Sequence, residues 1–243
     1  MAKSIKDAHL NSRRFHYHGL DTISDLCSGD FAMGIDVVRR IFEHAAADWR
    51  RPTAISAQKQ DEAVREYAKQ EFEYIRHQSQ DGRRKYEIAD RLCWLSKECI
   101  LKLEVMKDGK RVPLIKNHLD VSEKAFRDLE RDFPEMWQLF QDLTRSGILF
   151  PIQPSRAMEA RDATRRFMIR RILLARYTTV LGRHRPIRID DVQRLMWLLT
   201  DPADFVTNEL GLAADREDEN GEFTRTVPRA NDSTSSVRQR RLF

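Results

Sequence analysis

Apolar residues recur at helical spacing through most of this chain. Asp30 precedes a stripe of Phe31, Ile35, Val38, Phe42 and Ala45, the spacing of one helix face, with Arg39, Arg40, Glu43 and His44 on the polar side. Before it, Thr22 and Asp25 have capping-box spacing over a short helix that ends near Ser28-Gly29. Arg51-Pro52-Thr53 interrupts the pattern, because proline disfavours helix in the residue before it. From about Ser56 a second long helix places Val64, Ala68, Phe72 and Ile75 on one side, with Tyr67 beside them, and Ser79-Gln80-Asp81-Gly82 ends it. A third begins near Arg84 with Ile88, Leu92, Leu95, Cys99, Leu103 and Met106 in line, and Lys107-Asp108-Gly109-Lys110 turns the chain. Residues 112–115 read as a short strand or an extended segment. Ser122 caps a helix with Phe126 and Leu129 inward. Pro134 then opens another with Met136, Phe140 and Leu143 buried, and Ser146-Gly147 stops it.

The period then changes. An apolar strand over 148–152 is followed by a polar crossing over 153–163 and a return strand over 164–173. Helix, helix, glycine stop, strand, charged loop, strand is the order of a winged helix-turn-helix, with the helix from Arg84 supplying its first helix. Beyond it, Ile187 and Ile189 suggest a further short strand. Asp190 is expected to cap a helix bearing Val192, Leu195, Met196, Leu198 and Leu199, and Asp201-Pro202 starts one more turn through Phe205. From about Ala213 the apolar residues thin out, and too little apolar surface remains to offset the entropy of ordering. Residues 213–243 are therefore expected to be a disordered tail, closing on Arg238-Gln239-Arg240-Arg241.

Charge sharpens this picture. The net charge is a modest +5, yet Arg156, Arg161, Arg165, Arg166, Arg170, Arg171, Arg176, Arg183, Arg185 and Arg188 crowd one stretch. Glu159 and Asp162 are its only acids and it has no lysine, so the rest of the chain is slightly acidic. A local concentration of guanidinium points to a binding face rather than to general solubility. Phosphate backbone is the matching partner; the alternative is a strand edge protected by charge. The helix before the hairpin shows Glu135, Gln138, Gln141, Asp142 and Arg145 outward, and its acids oppose deep insertion among bases. Duplex DNA is therefore expected to be held by Arg156, Arg161, Arg165, Arg166, Arg170 and Arg171, with little base preference. RNA in place of DNA stays open.

Other chemistry is thin. Cys27, Cys93 and Cys99 are odd in number and lack CxxC spacing, which argues against zinc and for a reducing, cytoplasmic setting. No apolar run approaches the ~20 residues that span a bilayer, and the first residues lack the apolar core of a signal peptide. His16, Tyr17 and His18 form a polar knot with no nucleophile at useful spacing, and His118 with Asp120 is no better placed. Glu130, Asp132 and Glu135 gather at a helix break, where carboxylates serve the helix dipole. No GxxxxGK[ST] occurs, so ATP hydrolysis by this chain alone is not expected.

The run Leu26-Cys27-Ser28-Gly29-Asp30 before an amphipathic helix resembles the sensor-2 helix in the lid of AAA+ ATPases of the origin-recognition type. Residues 15–26 and the return strand around Arg166-Phe167-Met168-Ile169-Arg170-Arg171 are most similar to bacterial members of that group. The resemblance implies a mainly α fold: a flexible N-terminus over 1–18, a helical lid-like domain over 19–80, a winged helix with a small antiparallel wing over 84–180, and a helical extension over 181–212. It implies an ATPase core in cis or in trans, which would carry ATP and magnesium; this chain would hold no cofactor or metal itself. The position of the lid arginine is taken by Ala32, which leaves Asp30, Arg39 and Arg40 as the nucleotide-sensing candidates. Such a chain is either the C-terminal piece of a longer ATPase or a separately encoded lid and winged helix, in replication initiation or in bacterial defence. The alternative to DNA binding is a protein-docking module, with Trp94, Trp137 and Trp197 as possible anchors and homo-oligomers possible.

Overall fold

The computed structural model describes residues 16–28, 30–45, 54–78, 80–107, 110–152, 164–179, 185–220 and 223–225. The first part is helical. Helix α1 (Leu20–Cys27) has Gly19 at its N-cap position in place of the Thr22 cap expected, and ends on Ser28 in the left-handed region. Helix α2 (Phe31–His44) starts at Asp30, whose carboxylate accepts the Met33 amide at 3.0 Å, as the sequence pattern requires. Its buried row is Met33, Val37 and Ile41, not the expected row through Phe31 and Ile35. Both rows are apolar at helical spacing, so periodicity alone cannot choose the one that meets the next helix. Helix α3 (Ala57–Arg76), capped by Ser56, buries Val64, Tyr67, Ala68, Phe72 and Ile75 as anticipated.

A tight corner joins α3 to α4 (Gly82–Lys102). Asp81 has a φ of 49°, and a Cβ on Gly82 would lie 2.7 Å from the Arg76 carbonyl and 2.8 Å from that of Ile75. Only glycine fits so close to two backbone oxygens. Helix α4 stops at Lys102, and Leu103–Lys107 becomes strand β1 although its apolar spacing continues the helical stripe. Strand β2 (Lys110–Pro113) pairs antiparallel with β1 on one side, and β7 (Phe223–Arg225) pairs with it on the other. These pairings satisfy the β1 backbone in a way that no local pattern announces.

Strand β3 (His118–Ser122) is followed by α5 (Glu123–Asp132), α6 (Pro134–Arg145), β4 (Leu149–Ile152) and β5 (Thr164–Ile169). Strand β5 pairs antiparallel with both β3 and β4, and β6 (Ile187–Ile189) joins β3 in parallel, giving the order β4-β5-β3-β6. With α4 ahead of β3, this is a winged helix following a helical lid-like part. Its core is an aromatic group: Phe126 lies 5.2 Å from Phe140 and 4.7 Å from Trp137, and Phe140 lies 5.0 Å from Phe167 between ring centres.

The return strand is shorter than expected. It ends at Ile169, and Arg171–Leu174 forms a short helix, α7, followed by a 3-10 turn (Ala175–Tyr177). Helix α8 (Val192–Thr200) is capped by Asp191 rather than Asp190 and packs on α5 and α6. Helix α9 (Pro202–Asn220) runs along α4. It continues past Ala213, where the apolar pattern fails, through residues of good helix propensity such as Ala214, Arg216 and Glu217. Arg238, Arg240 and Arg241 lie outside the described residues. No helix among the described residues is long and apolar enough to cross a membrane.

Candidate nucleic-acid interface

The arginines of β5 fall on alternate faces, because side chains in a strand point to opposite sides in turn. Arg165 shares the side of Phe167 and Ile169. Its guanidinium lies 4.4 Å from the centre of the Phe126 ring and donates to both Glu123 carboxylate oxygens, at 2.6 and 3.2 Å. Half of that side chain, 50%, is open to water. Arg166 points the other way and donates to both oxygens of Asp120, each at 2.6 Å, across the β3–β5 ladder. These hydrogen bonds raise the Arg166 guanidinium further above its ordinary pKa. Asp120 also stands opposite Arg188 on β6, but its oxygens already receive Arg166, and Arg188 is exposed.

Arg170 and Arg171 sit apart from Arg165 and Arg166. They do not project from the wing. The backbone amide of Arg170 donates to the Ile148 carbonyl at 2.9 Å, fixing it at the end of the sheet. Its guanidinium turns toward the lid-like helices, where Nη1 meets Glu71 on α3 at 2.6 Å and Nη2 lies 3.9 Å from Asp30 and 3.4 Å from Met33 Sδ. Arg171 donates to the Asp25 carbonyl at 3.0 Å. Both arginines are mostly buried in the joint between the two parts. Polar residues at a joint carry no sequence signal that separates them from residues aimed at a ligand.

Asp30, Arg39 and Arg40 do not converge. Asp30 spends its carboxylate on the N-terminus of α2. Arg39 and Arg40 stand nine and ten residues along, about 14 Å at about 1.5 Å per residue, and lean on Asp36 and Glu43 of their own helix at 3.2 to 4.0 Å. The outer row of α2 is instead apolar, with Phe31 82% and Ile35 55% exposed.

Helix α6 also neutralises itself. Arg145 donates to Asp142 and Gln141 at 3.3 and 3.1 Å, and Gln138 donates to Asp142 at 3.1 Å. Exposed cations absent from the sequence assignment lie elsewhere: Lys124 and Arg127 on the first turns of α5, and Arg188 on β6. Arg127 donates only to the Glu123 carbonyl, at 3.4 Å, while Lys124 and Arg188 have no acidic partner among the described residues. Lys124 and Arg127 carry no mark in the sequence that separates them from other helix-surface cations, whereas Arg188 belongs to the arginine-rich stretch. Arg156, Arg161 and Arg183 lie outside the described residues.

Other polar groups make contacts within the fold. The amides of His16 and Tyr17 donate to Asp61 Oδ1 at 2.9 and 3.0 Å, and the Tyr17 hydroxyl donates to the Thr179 carbonyl at 2.7 Å. Tyr17 thus plugs the joint, and burial drives its hydroxyl pKa upward. Arg176 sits 4.6 Å from the Phe72 ring centre and donates to the Tyr86 hydroxyl at 3.1 Å. The Cys93 and Cys99 thiols are also pushed up by burial, that of Cys99 to about 12. No cluster of metal-ligating side chains occurs among the described residues. Trp94, Trp137 and Trp197 are half-buried against the core rather than displayed.

A protein-family model described as ORC-CDC6-like matches residues 3–189, a span that closes with strand β6. No curated protein and no solved structure matches.

Proposed function

Because the chain belongs to the ORC-CDC6-like family, we propose that it works as the lid and winged-helix module of an ORC/Cdc6-type AAA+ ATPase, seated on the ATPase core through α2 and on duplex DNA through the wing. The outer row of α2 carries this assignment. An apolar row left in water on a surface helix is a seat for a partner, and covering Phe31 alone would contribute about 1.5–3 kcal/mol. ATP and magnesium belong to that core, in the same polypeptide or another. Asp30, Arg39 and Arg40 do not fit a nucleotide phosphate: Asp30 already caps α2 with a carboxylate of the wrong sign, and Arg39 and Arg40 are distant and paired. Phe31→Asp with Ile35→Asp is expected to abolish binding to an ATPase core of this family while far-UV circular dichroism is unchanged, since both side chains are exposed. Undiminished binding by that variant would overturn the docking assignment.

Support for DNA comes from the exposed cations Lys124 and Arg127 on α5 and Arg188 on β6, and from Arg156 and Arg161 in the sequence between β4 and β5. If all five neutralise a phosphate, log K against log salt should fall with a slope of about −4 to −5. Removing charge at Lys124, Arg127 and Arg188 should reduce the slope to about −2. Fluorescence anisotropy with a labelled duplex measures both. Absence of binding at low salt would leave the second reading, docking without DNA contact, which the carboxylate pairing of Arg165 and Arg166 favours.

A further inference from the structure

Beside Tyr17 and Arg176, the joint between the lid-like helices and the winged helix carries a second polar connection. Two consecutive residues, Arg170 and Arg171, leave the last wing strand and reach the two sides of one turn, that between α1 and α2. Arg170 approaches Asp30 on the α2 side and Arg171 takes Asp25 on the α1 side, its Nη1 lying 3.7 Å from Oδ1 and 3.0 Å from the carbonyl oxygen. A third contact, Arg170 to Glu71 at 2.6 Å, ties the same point to the middle of α3. With only 16% of the Arg170 side chain exposed, this charge is screened little by water.

The backbone makes the other half of the connection. The amide of Ile169 donates to the Asn117 carbonyl at 3.1 Å and that of Arg170 to the Ile148 carbonyl at 2.9 Å. The guanidinium therefore hangs from a residue that cannot shift without shifting β5. Asp30 in turn holds the first amides of α2, the helix whose outer row is apolar and exposed. Met33, which Arg170 touches through its sulfur, belongs to the buried row of that helix.

We infer that Arg170, with Arg171, is a latch that sets the orientation of the wing from the position of the α1–α2 turn. A partner seated on the outer row of α2 presses on the helix whose capped end the latch grips. Displacement of that end would pass through Arg170 into β5. Arg170 is a positioning residue: it touches neither partner and acts through the sheet. The latch does not depend on whether the wing binds DNA.

Pulsed electron–electron resonance between nitroxides on Tyr74→Cys in α3 and Glu130→Cys in α5 reads the orientation directly. Both positions are exposed, and the native Cys27, Cys93 and Cys99 are buried, so label goes to the introduced thiols. The otherwise native protein should give one narrow distance distribution. Arg170→Gln should broaden or shift it, and Glu71→Gln and Asp30→Asn should do so to a lesser degree, with helicity retained. Exchanging the charges, Arg170→Glu with Glu71→Arg, should narrow it again. A narrow distribution unchanged in Arg170→Gln, even with a lowered melting temperature, would reduce the arginine to ordinary packing and overturn the latch. Should Arg170→Gln fail to fold, the same comparison in Glu71→Gln and Asp30→Asn decides. No nucleic acid or ATPase is present in the measurement, so its outcome is separate from that of the anisotropy titration.

Discussion

Arg166→Gln should lower the stability of the winged helix by about 2–4 kcal/mol, and Asp120→Asn by a similar amount, while the double variant loses less than their sum. The two side chains are 19% and 10% exposed, and both hydrogen bonds between them are 2.6 Å long. Removing one partner strands the other's charge in a site with little water, which is the costly half of breaking a buried pair. The effect stays below that of a fully buried pair because Arg166 keeps some contact with solvent. Arg165 provides the internal comparison. Its pair with Glu123 is half open to water, so Arg165→Gln should cost no more than about 1 kcal/mol. Urea denaturation of the four proteins in the cycle, with Arg165→Gln beside them, gives all of these numbers. If Arg166→Gln instead left the midpoint in place and weakened duplex binding, the guanidinium would be reaching phosphate and not Asp120.

That contrast also separates what could be read from the residues from what could not. Ends of helices were legible because their chemistry is local: Asp30, Ser56 and Ser122 each accept an amide three residues on, and Pro134 opens α6. The order of elements around the hairpin was legible for the same reason, since a glycine stop and a change of period are both short-range signals. The phase of α2 was not. Met33-Val37-Ile41 and Phe31-Ile35-Phe42 are equally apolar, and only contact with α3 decides between them. Strand β1 was hidden inside a helical stripe, because Leu103 continues the spacing of Cys99 while its hydrogen bonds go to partners at 110–113 and 223–225. The arginines show the limit most plainly. Ten arginines in one stretch signalled phosphate, yet of the six assigned to it the four that are described meet Glu123, Asp120, Glu71 and Asp25. Those acids lie between 42 and 146 residues away in the chain, so no local count of charge foresees the pairing.

Phe140→Ala should be the most damaging single change in the winged helix. Phe140 is 1% exposed, stands edge-on to Phe126 and to Phe167 at 90° and 84°, and fills the space between α6 and the sheet. Truncation leaves a cavity that the surrounding rings, themselves held by Trp137 and by one another, cannot close. Loss of transfer free energy and the cavity together cost about 3–5 kcal/mol, and the edge-to-face contacts contribute to the upper part of that range. For a chain of this size the melting temperature should fall by roughly 6–20 °C at about 2–4 °C per kcal/mol. Phe140→Leu, which refills most of the volume, should lose far less. Position matters beyond stability, because the Phe126 ring carries the Arg165 guanidinium over its face and Phe167 lies on β5 itself. Loosening Phe140 should therefore free Arg165 from its ring and from Glu123, and duplex affinity in Phe140→Leu should rise or hold while stability drops. Calorimetry and anisotropy on the same preparation test the two halves separately. A fall in affinity parallel to the fall in stability would mean that the wing needs Arg165 held where it is.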